Sequence, residues 1–197
     1  MLNHLRPALA LTLFFTLLTG LAYPLAMTGL AQFLFPAAAN GSLLTIGDTV
    51  IGSALIGQSF TAPAYLHPRP SASNWNAAGT GASNLGPTSA LLVATVADRR
   101  VAWEAENAVP APIDAITASG SGLDPDISPE TALAQADRIA AARAADPVAI
   151  RTLISDHIIG PTLGLYGEPR VNVLLTNLAL DETFSMAPAA AEGAATE

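Results

Sequence analysis

Three histidines, His4, His67 and His157, are the side chains best suited to take a proton from a serine nucleophile near neutral pH. His4 precedes a long apolar run, His67 lies in a loop, and His157 closes an amphipathic helix, where a cation would interact favourably with the helix dipole. No Gly-x-Ser-x-Gly elbow accompanies His67 or His157, which argues against a Ser-His-Asp hydrolase. The histidines are dispersed without a His-x-x-x-His pair and the cysteine count is 0, so zinc-ligand spacing, disulfides and redox thiols are all missing. All 8 basic residues are Arg, which removes any P-loop or Schiff-base lysine. The lack of Lys and the Ala richness fit a coding bias rather than a function.

The carboxylates and glycines are more ambiguous. Asp124, Asp126 and Glu130 supply the oxygen atoms that hard cations prefer, but the Asp-x-Asp-x-Asp-Gly spacing with its terminal Glu is not met. A local structural role is the expectation, with Asp124 and Pro125 in a turn that orients Ser128. Gly79-x-Gly81 would cradle a phosphate only between a strand and a helix, and alone it is a weak signal. Gly120-Ser121-Gly122 could present amides to an anion ahead of the helix starting at Ser128, although tight-turn chemistry is the commoner reason for such glycines. Arg69 and Arg138 can each grip a carboxylate, on a partner or within this chain, and the second is the expectation.

The elements that must position these residues follow from patterning. Ser42–Ile46 and Val50–Ser53 flank Gly-Asp and predict a hairpin. Residues 61–89, rich in Pro, Gly, Ser and Asn, form a loop of unusual length, and such loops commonly carry function. A helix is expected from Ser89 to Glu106, with Thr88 or Ser89 as N-cap and Leu92, Val93, Val96 and Trp103 at helical spacing. Pro110 and Pro112 stop it, and a second irregular segment covers 117–127. Ser128-Pro129 starts a helix over 129–144 with Leu133, Ala136, Ile139, Ala140 and Arg143 along one side and Gln135 beside Arg138. Asp146-Pro147 starts a shorter helix to about Ile158. Gly160, Pro161, Gly164 and Gly167 break the chain, and 170–180 is expected as a last strand that joins the N-terminal hairpin. The result is an α+β layer.

Composition supplies the remaining piece. The 197 residues are 51% hydrophobic and 12% charged, with a net charge of -8. A mean hydropathy of +0.42 with a pI near 4.6 excludes a disordered chain and disfavours nucleic acid as a partner. From Pro7 to Phe35 the only ionisable group is the Tyr23 phenol, and the run exceeds the roughly 20 apolar residues that span a bilayer. A span over about Pro7–Thr28 is expected, kinked near Pro24, with Gln32, Phe33 and Phe35 at the far interface. A cleaved signal peptide is the alternative, but its apolar core is normally only about 7 to 15 residues. Arg6 precedes the span and the next basic residue is Arg69, so the N-terminus is expected inside and the remainder outside. The organisation is then a cytoplasmic 1–6, a transmembrane helix and interfacial segment over 7–35, a periplasmic α+β domain over 40–184 and a disordered tail over 185–197.

Several motifs in order closely resemble the C-subunit family, KdpC, of the bacterial Kdp potassium-transporting ATPases. They are Leu-Thr-Gly-Leu-Ala-Tyr-Pro-Leu at 18–25, Ala-Asn-Gly-Ser-Leu at 39–43, Gly-Ser-Ala-Leu-Ile-Gly-Gln-Ser-Phe at 52–60, Arg-Pro-Ser-Ala at 69–72 and Ser-Asn-Leu-Gly-Pro-Thr at 83–88. Thr-Ala-Ser-Gly-Ser-Gly-Leu-Asp-Pro at 117–125, Ile-Ser-Pro at 127–129, Gly-Glu-Pro-Arg-Val-Asn-Val-Leu at 167–174 and Asn-Leu-Ala-Leu-Asp at 177–181 complete the series. The likeness runs from about Arg6 to Asp181. Asp126 stands where the family commonly has His.

The resemblance implies a non-catalytic accessory subunit in the bacterial inner membrane. Its implied partners are a P-type ATPase subunit, a channel-like potassium-translocating subunit and a small hydrophobic peptide. It also implies roles in assembly and in raising the ATP affinity of the pump subunit, ATP and potassium being handled by the complex rather than by a cofactor site here. With Arg6 inside, direct ATP contact conflicts with the expected topology. The two loops are therefore the expected surface toward the channel-like subunit: Arg69, Trp75, Asn76, Ser83 and Asn84 from the first, and Ser119, Ser121, Leu123 and Asp124 from the second. A membrane-anchored periplasmic ligand-binding or sensor module is the alternative.

Overall fold

The computed structural model describes residues 4–184, so the expected disordered tail lies outside the described residues. The chain divides into two units, 1–53 and 54–197, of mixed helix and sheet.

The first unit begins with a continuous apolar helix, Leu5–Leu34, long and apolar enough to cross a membrane, with none of its side chains buried in the protein. At about 1.5 Å per residue it exceeds a hydrocarbon core of roughly 30 Å. It consists of α1 (Leu5–Leu17), a π turn (Leu18–Ala22) and α2 (Tyr23–Leu34). Pro24 lacks the N-H that would reach the carbonyl one turn earlier, and the π turn directly before it takes up the mismatch by passing the Tyr23 N-H to Leu18 O. Thr19 Oγ1 donates to Phe15 O at 2.7 Å, so its hydroxyl is satisfied within the helix. The Gln32 and Asn40 amides pair reciprocally at 3.1 Å and hold the short α3 (Pro36–Ala39) to the helix end.

The expected hairpin follows as β1 (Leu43–Ile46) and β2 (Thr49–Ser53), antiparallel, with Gly47 at φ 58° in the turn. Leu44 faces Gly52 and Thr45 faces Val50, leaving Ile51 as the extra residue of a bulge.

The second unit is built around helices and a small sheet. They are α4 (Ala90–Asn107), α5 (Ile113–Ile116), β3 (Asp126–Ile127), α6 (Pro129–Ala134), α7 (Ala136–Arg143), α8 (Pro147–Asp156), β4 (Ile158–Ile159), β5 (Arg170–Asn172) and α9 (Val173–Thr183). The sheet order is β3-β5-β4, antiparallel throughout, with Val171 opposite both Ile127 and Ile158. Val171 is fully buried and meets Leu66, Ile139, Ile150, Ile154 and Leu180 in one core.

Three caps act at the expected helix starts. Ser89 Oγ accepts from Leu92 N-H, Ser128 Oγ from Thr131 N-H and an Asp146 carboxylate oxygen from Val148 N-H. Pro129 and Pro147 sit in the first turns, where a missing N-H costs nothing.

The structure corrects three expectations. The strand over 170–180 stops at Asn172, where the side chain caps a helix by accepting from Leu175 N-H at 3.1 Å. Val173, Leu174, Asn177 and Leu180 are buried with a helical period that the alternation of valines masked. That last strand does not join the hairpin: β5 pairs with β3 and β4, and β1 pairs with β2. The helix over 129–144 is interrupted at Gln135, whose N-H reaches only to Ala132 O, a tight turn between α6 and α7.

Candidate functional site

The two polar loops of the second unit are stitched into one platform. Ser119 N-H donates to Pro70 O at 3.0 Å, Gly81 N-H to Ser121 O at 2.8 Å and Thr80 Oγ1 to Ser121 O at 2.7 Å. The Ser71 and Ser73 hydroxyls both donate to Gly122 O, at 2.7 and 3.2 Å. Gly122 has φ 71°, and a Cβ there would run into Ser73 Oγ and stand 2.8 Å from Gly81 O. Gly122 is thus a turn and close-approach residue, in line with the commoner of the two readings, while a Cβ at Gly120 would meet open space. Inside the second loop, Ser119 Oγ accepts from Gly122 N-H at 2.8 Å and Ser121 Oγ from Leu123 N-H at 3.0 Å.

Below the platform runs a ladder of charge. Arg69 Nη1 reaches Asp124 Oδ2 at 3.1 Å, so its carboxylate is internal to the chain. Asp124 Oδ1 accepts from Asp126 N-H at 3.1 Å, closing a local turn, and Asp126 Oδ2 pairs with Arg170 Nε at 2.9 Å. Asn172 Nδ2 donates to Asp126 Oδ1 at 3.1 Å and to Ala54 O at 2.9 Å. These carboxylates face cations and amides of the protein, and among the described residues no group of three His, Cys, Asp or Glu side chains is arranged to hold a metal ion. Ser128 is oriented by Asp114 rather than by Asp124. The Asp114 carboxylate accepts from Ser128 N-H at 2.7 Å, Ser128 Oγ at 2.9 Å and Thr131 Oγ1 at 2.5 Å. Arg69, Asp114, Asp124, Asp126, Glu130 and Arg170 together line an open cleft of about 860 Å³, walled on its apolar side by Pro112 and Ile113.

Two buried amides hold the first loop against the helices. Gln135 Oε1 accepts from His67 N-H at 2.7 Å while its Nε2 donates to His67 O at 3.2 Å. Asn177 does the same for Leu66, one residue earlier in the loop. Arg138 spans the space between loop and helices, donating to Pro63 O, Tyr65 O, Gln135 Oε1 and Asn107 Oδ1. The i, i+3 pairing of Gln135 with Arg138 expected from spacing is present at 2.6 Å.

The His67 imidazole sits between Glu106 Oε1, 3.2 Å from Nδ1, and Ala62 O, 3.1 Å from Nε2. Burial and the nearby Arg138 guanidinium push its pKa below the ordinary histidine value, against the opposing pull of Ala62 O and Glu106. Burial likewise lowers the pKa of Arg138, with Glu106 opposing. His67 thus packs as a structural group, with Trp75, Trp103 and Phe60 along a smaller cleft of about 270 Å³. His157 closes α8 with Nδ1 2.8 Å from Leu153 O.

The family model for the K+-transporting ATPase c chain, KdpC, matches residues 5–182. The chain belongs to the KdpC family. It is 63% identical over 181 residues to the potassium-transporting ATPase KdpC subunit of Cereibacter sphaeroides, covering 92% of this chain and 98% of that one. The KdpC subunit of Methylobacterium nodulans is 55% identical over 197 residues, with 92% and 98% covered, and that of Beijerinckia indica is 51% identical over 189 residues, with 93% and 96% covered.

In this member of the KdpC family the nine residues singled out from the loops divide by burial. Ser119 and Leu123 are 2% and 8% exposed and carry the platform from within. Arg69 and Asp124 are half-buried and pair with each other. Trp75 is half-buried at φ 54°, Asn76 next to it in the chain is exposed, and so is Ser121, whose carbonyl takes the bonds from Thr80 and Gly81. Ser83 and Asn84 are exposed farther along the loop, on the approach to α4, where Asn84 at φ 53° bonds locally to Ala82 O.

The residues that hold this platform in place were less visible in the sequence. Asn177 and Asp114 carried no flag, because an amide or carboxylate that serves a backbone more than 100 or 14 positions away leaves no local spacing. The one available signal was a polar residue inside an otherwise apolar helical stripe, as with Gln135 and Asn177.

Proposed function

We propose that this chain is a non-catalytic accessory subunit of an ATP-driven potassium uptake complex, anchored by Leu5–Leu34 in the bacterial inner membrane with Arg6 on the cytoplasmic side and the 54–184 domain outside. Membership of the KdpC family supplies the complex. The observation that carries the docking role is the platform, in which two loops separated by some forty residues meet through Ser121 and Gly122 and leave Asn76 and Ser121 exposed and Trp75 half-buried. So much internal hydrogen bonding preorganises the loops, which lowers the ordering cost of binding another subunit. Its partner is the channel-like potassium-translocating subunit, with the P-type ATPase subunit and the small hydrophobic peptide in the same assembly. All 16 carboxylates lie beyond the span, so the outer domain brings negative charge beside a cation path, an effect limited by screening over about 8 Å. Assistance to assembly, and any rise in ATP affinity of the pump subunit, would then act through the complex rather than through nucleotide bound here.

Affinity purification of the full chain from membranes tests the subunit role. Co-purification of the large polytopic subunits is the expected result, and a chain that leaves the membrane alone overturns it in favour of a free-standing sensor module. Photo-crosslinkers at Trp75 and Ser83 should capture the channel-like subunit. Capture confined to cytoplasmic ATPase domains, or intact residues 40–184 after protease treatment of spheroplasts in the absence of a shielding partner, overturns the topology.

A further inference from the structure

The segment from Gly160 to Gly167 connects β4 to β5 and leaves the sheet as a tight hairpin with an apolar tip. Thr162 N-H donates to Tyr166 O at 2.8 Å, Tyr166 N-H returns to Thr162 O at 3.0 Å, and Gly164 N-H reaches Pro161 O at 2.9 Å. The turn passes through Leu163 at φ 55° and Gly164 at φ 72°. A leucine in the left-handed region is uncommon, and here it is fixed by the bridge on either side. Leu163, Leu165 and Tyr166 are 85%, 81% and 70% exposed, and Ile159 at the base of the hairpin is 40% exposed. Side chains of this size clustered on a rigid support mark an interaction site rather than scattered surface leucines.

The charge around the tip selects the kind of partner. From Asp156 to Glu168 the ionisable side chains are those two exposed carboxylates, His157 and the Tyr166 phenol. The nearest arginines in the chain, Arg151 and Arg170, are engaged internally with Asp137 and Asp126 at 2.8 and 2.9 Å. An apolar knob with acidic shoulders is repelled by an anionic lipid surface and complements an apolar groove with a basic rim. We propose that the hairpin 160–167 is a docking knob that inserts Leu163 and Leu165 into such a groove on a partner subunit. The inference rests on the subunit reading and adds to the platform a second, apolar point of attachment.

The test uses the full chain in its assembled complex. A benzophenone photo-crosslinker at Leu163 is expected to give an adduct with a partner subunit. The variant carrying Leu163→Asp and Leu165→Asp is expected to lose about tenfold or more of the co-purifying partner, as removal of a central apolar anchor does. Because both side chains are exposed, its thermal melt should stay at the parent value. Glu168→Arg should lower partner retention several-fold at low salt. An adduct only with lipid or with a second copy of this chain overturns the proposal, as does full partner retention in the double Asp variant. Retention unaffected by Glu168→Arg overturns the basic rim. If the parent chain retains its partners and only these results fail, the subunit reading stands without the knob. If the parent retains none, both fall.

Discussion

Asn177 closes a two-way hydrogen bond with the backbone of Leu66, accepting from its N-H at 2.8 Å and donating to its O at 3.1 Å. Leu66 is fully buried although it lies in a loop without helix or strand, so its peptide groups have no ladder to satisfy them. The amide of Asn177 stands in for a neighbouring strand. Asn177→Leu leaves two buried backbone groups unpaired and should cost about 2 to 4 kcal/mol. Asn177→Asp keeps the acceptor but puts a carboxylate against Leu66 O, and should be no milder. Thermal melts of the full chain in detergent measure both, and a loss below about 1 kcal/mol for either would contradict this role.

Arg143 is a further interior clamp. Its side chain is fully buried, with Nε on Ala64 O, Nη1 on Leu180 O and Phe184 O, and Nη2 on Asp181 Oδ1 at 2.8 Å, while its guanidinium lies 5.0 Å from the centre of the Tyr65 ring. Lysine has one nitrogen in place of a planar fork and cannot reach four acceptors. Arg143→Lys should therefore destabilise by about 3 kcal/mol, on the scale of breaking a buried charged network. The end of α9 should also exchange amide hydrogens faster than α8 does.

Gly122→Ala tests the platform. The new methyl meets Ser73 Oγ and Gly81 O, and the backbone holds φ 71°. Steric and dihedral strain together should cost about 1 to 3 kcal/mol and separate the two loops. The readout is limited proteolysis at 73–84, expected to accelerate severalfold in Gly122→Ala and to stay unchanged in Gly120→Ala, which has open space at its Cβ.

The pH dependence follows from His67. Its pKa in the fold lies below the ordinary value because burial, then Arg138, penalise the imidazolium, with Glu106 and Ala62 O acting against them. The unfolded chain therefore binds the proton first as the pH falls. Stability is unaffected above about pH 6.5 and declines as the pH drops from there toward the lowered folded value. His67→Gln, which cannot titrate, should flatten the melting temperature over this window relative to the parent. An unchanged slope would place the titration elsewhere.

The Arg69 and Asp124 pair is partly exposed, so screening limits its worth. A double-mutant cycle with Arg69→Ala and Asp124→Ala should give a coupling of about 0.5 to 1 kcal/mol in chain stability. Asp124→Ala alone should cost more than Arg69→Ala, because it also releases the Asp126 N-H from its turn.

What the sequence by itself determined is what depends on near neighbours. The long N-terminal helix is written in an uninterrupted apolar run, and the helix starts at Ser89, Ser128 and Asp146 in a cap followed two or three residues later by the amide it serves. The hairpin around Gly47-Asp48 and the two Gly-, Ser- and Asn-rich loops were legible for the same reason, since turn chemistry is local. The tertiary structure decided which distant groups meet. Residues 173–180 became a helix because their buried face satisfies a core rather than an alternation, and because Asn172 caps them. The loops at 69–81 and 117–124 became one platform through hydrogen bonds across some forty to fifty residues, and Leu66 became interior through an amide 111 positions away. Bonds of that kind are set by where folded elements bring backbone groups together, and residue spacing carries no record of it.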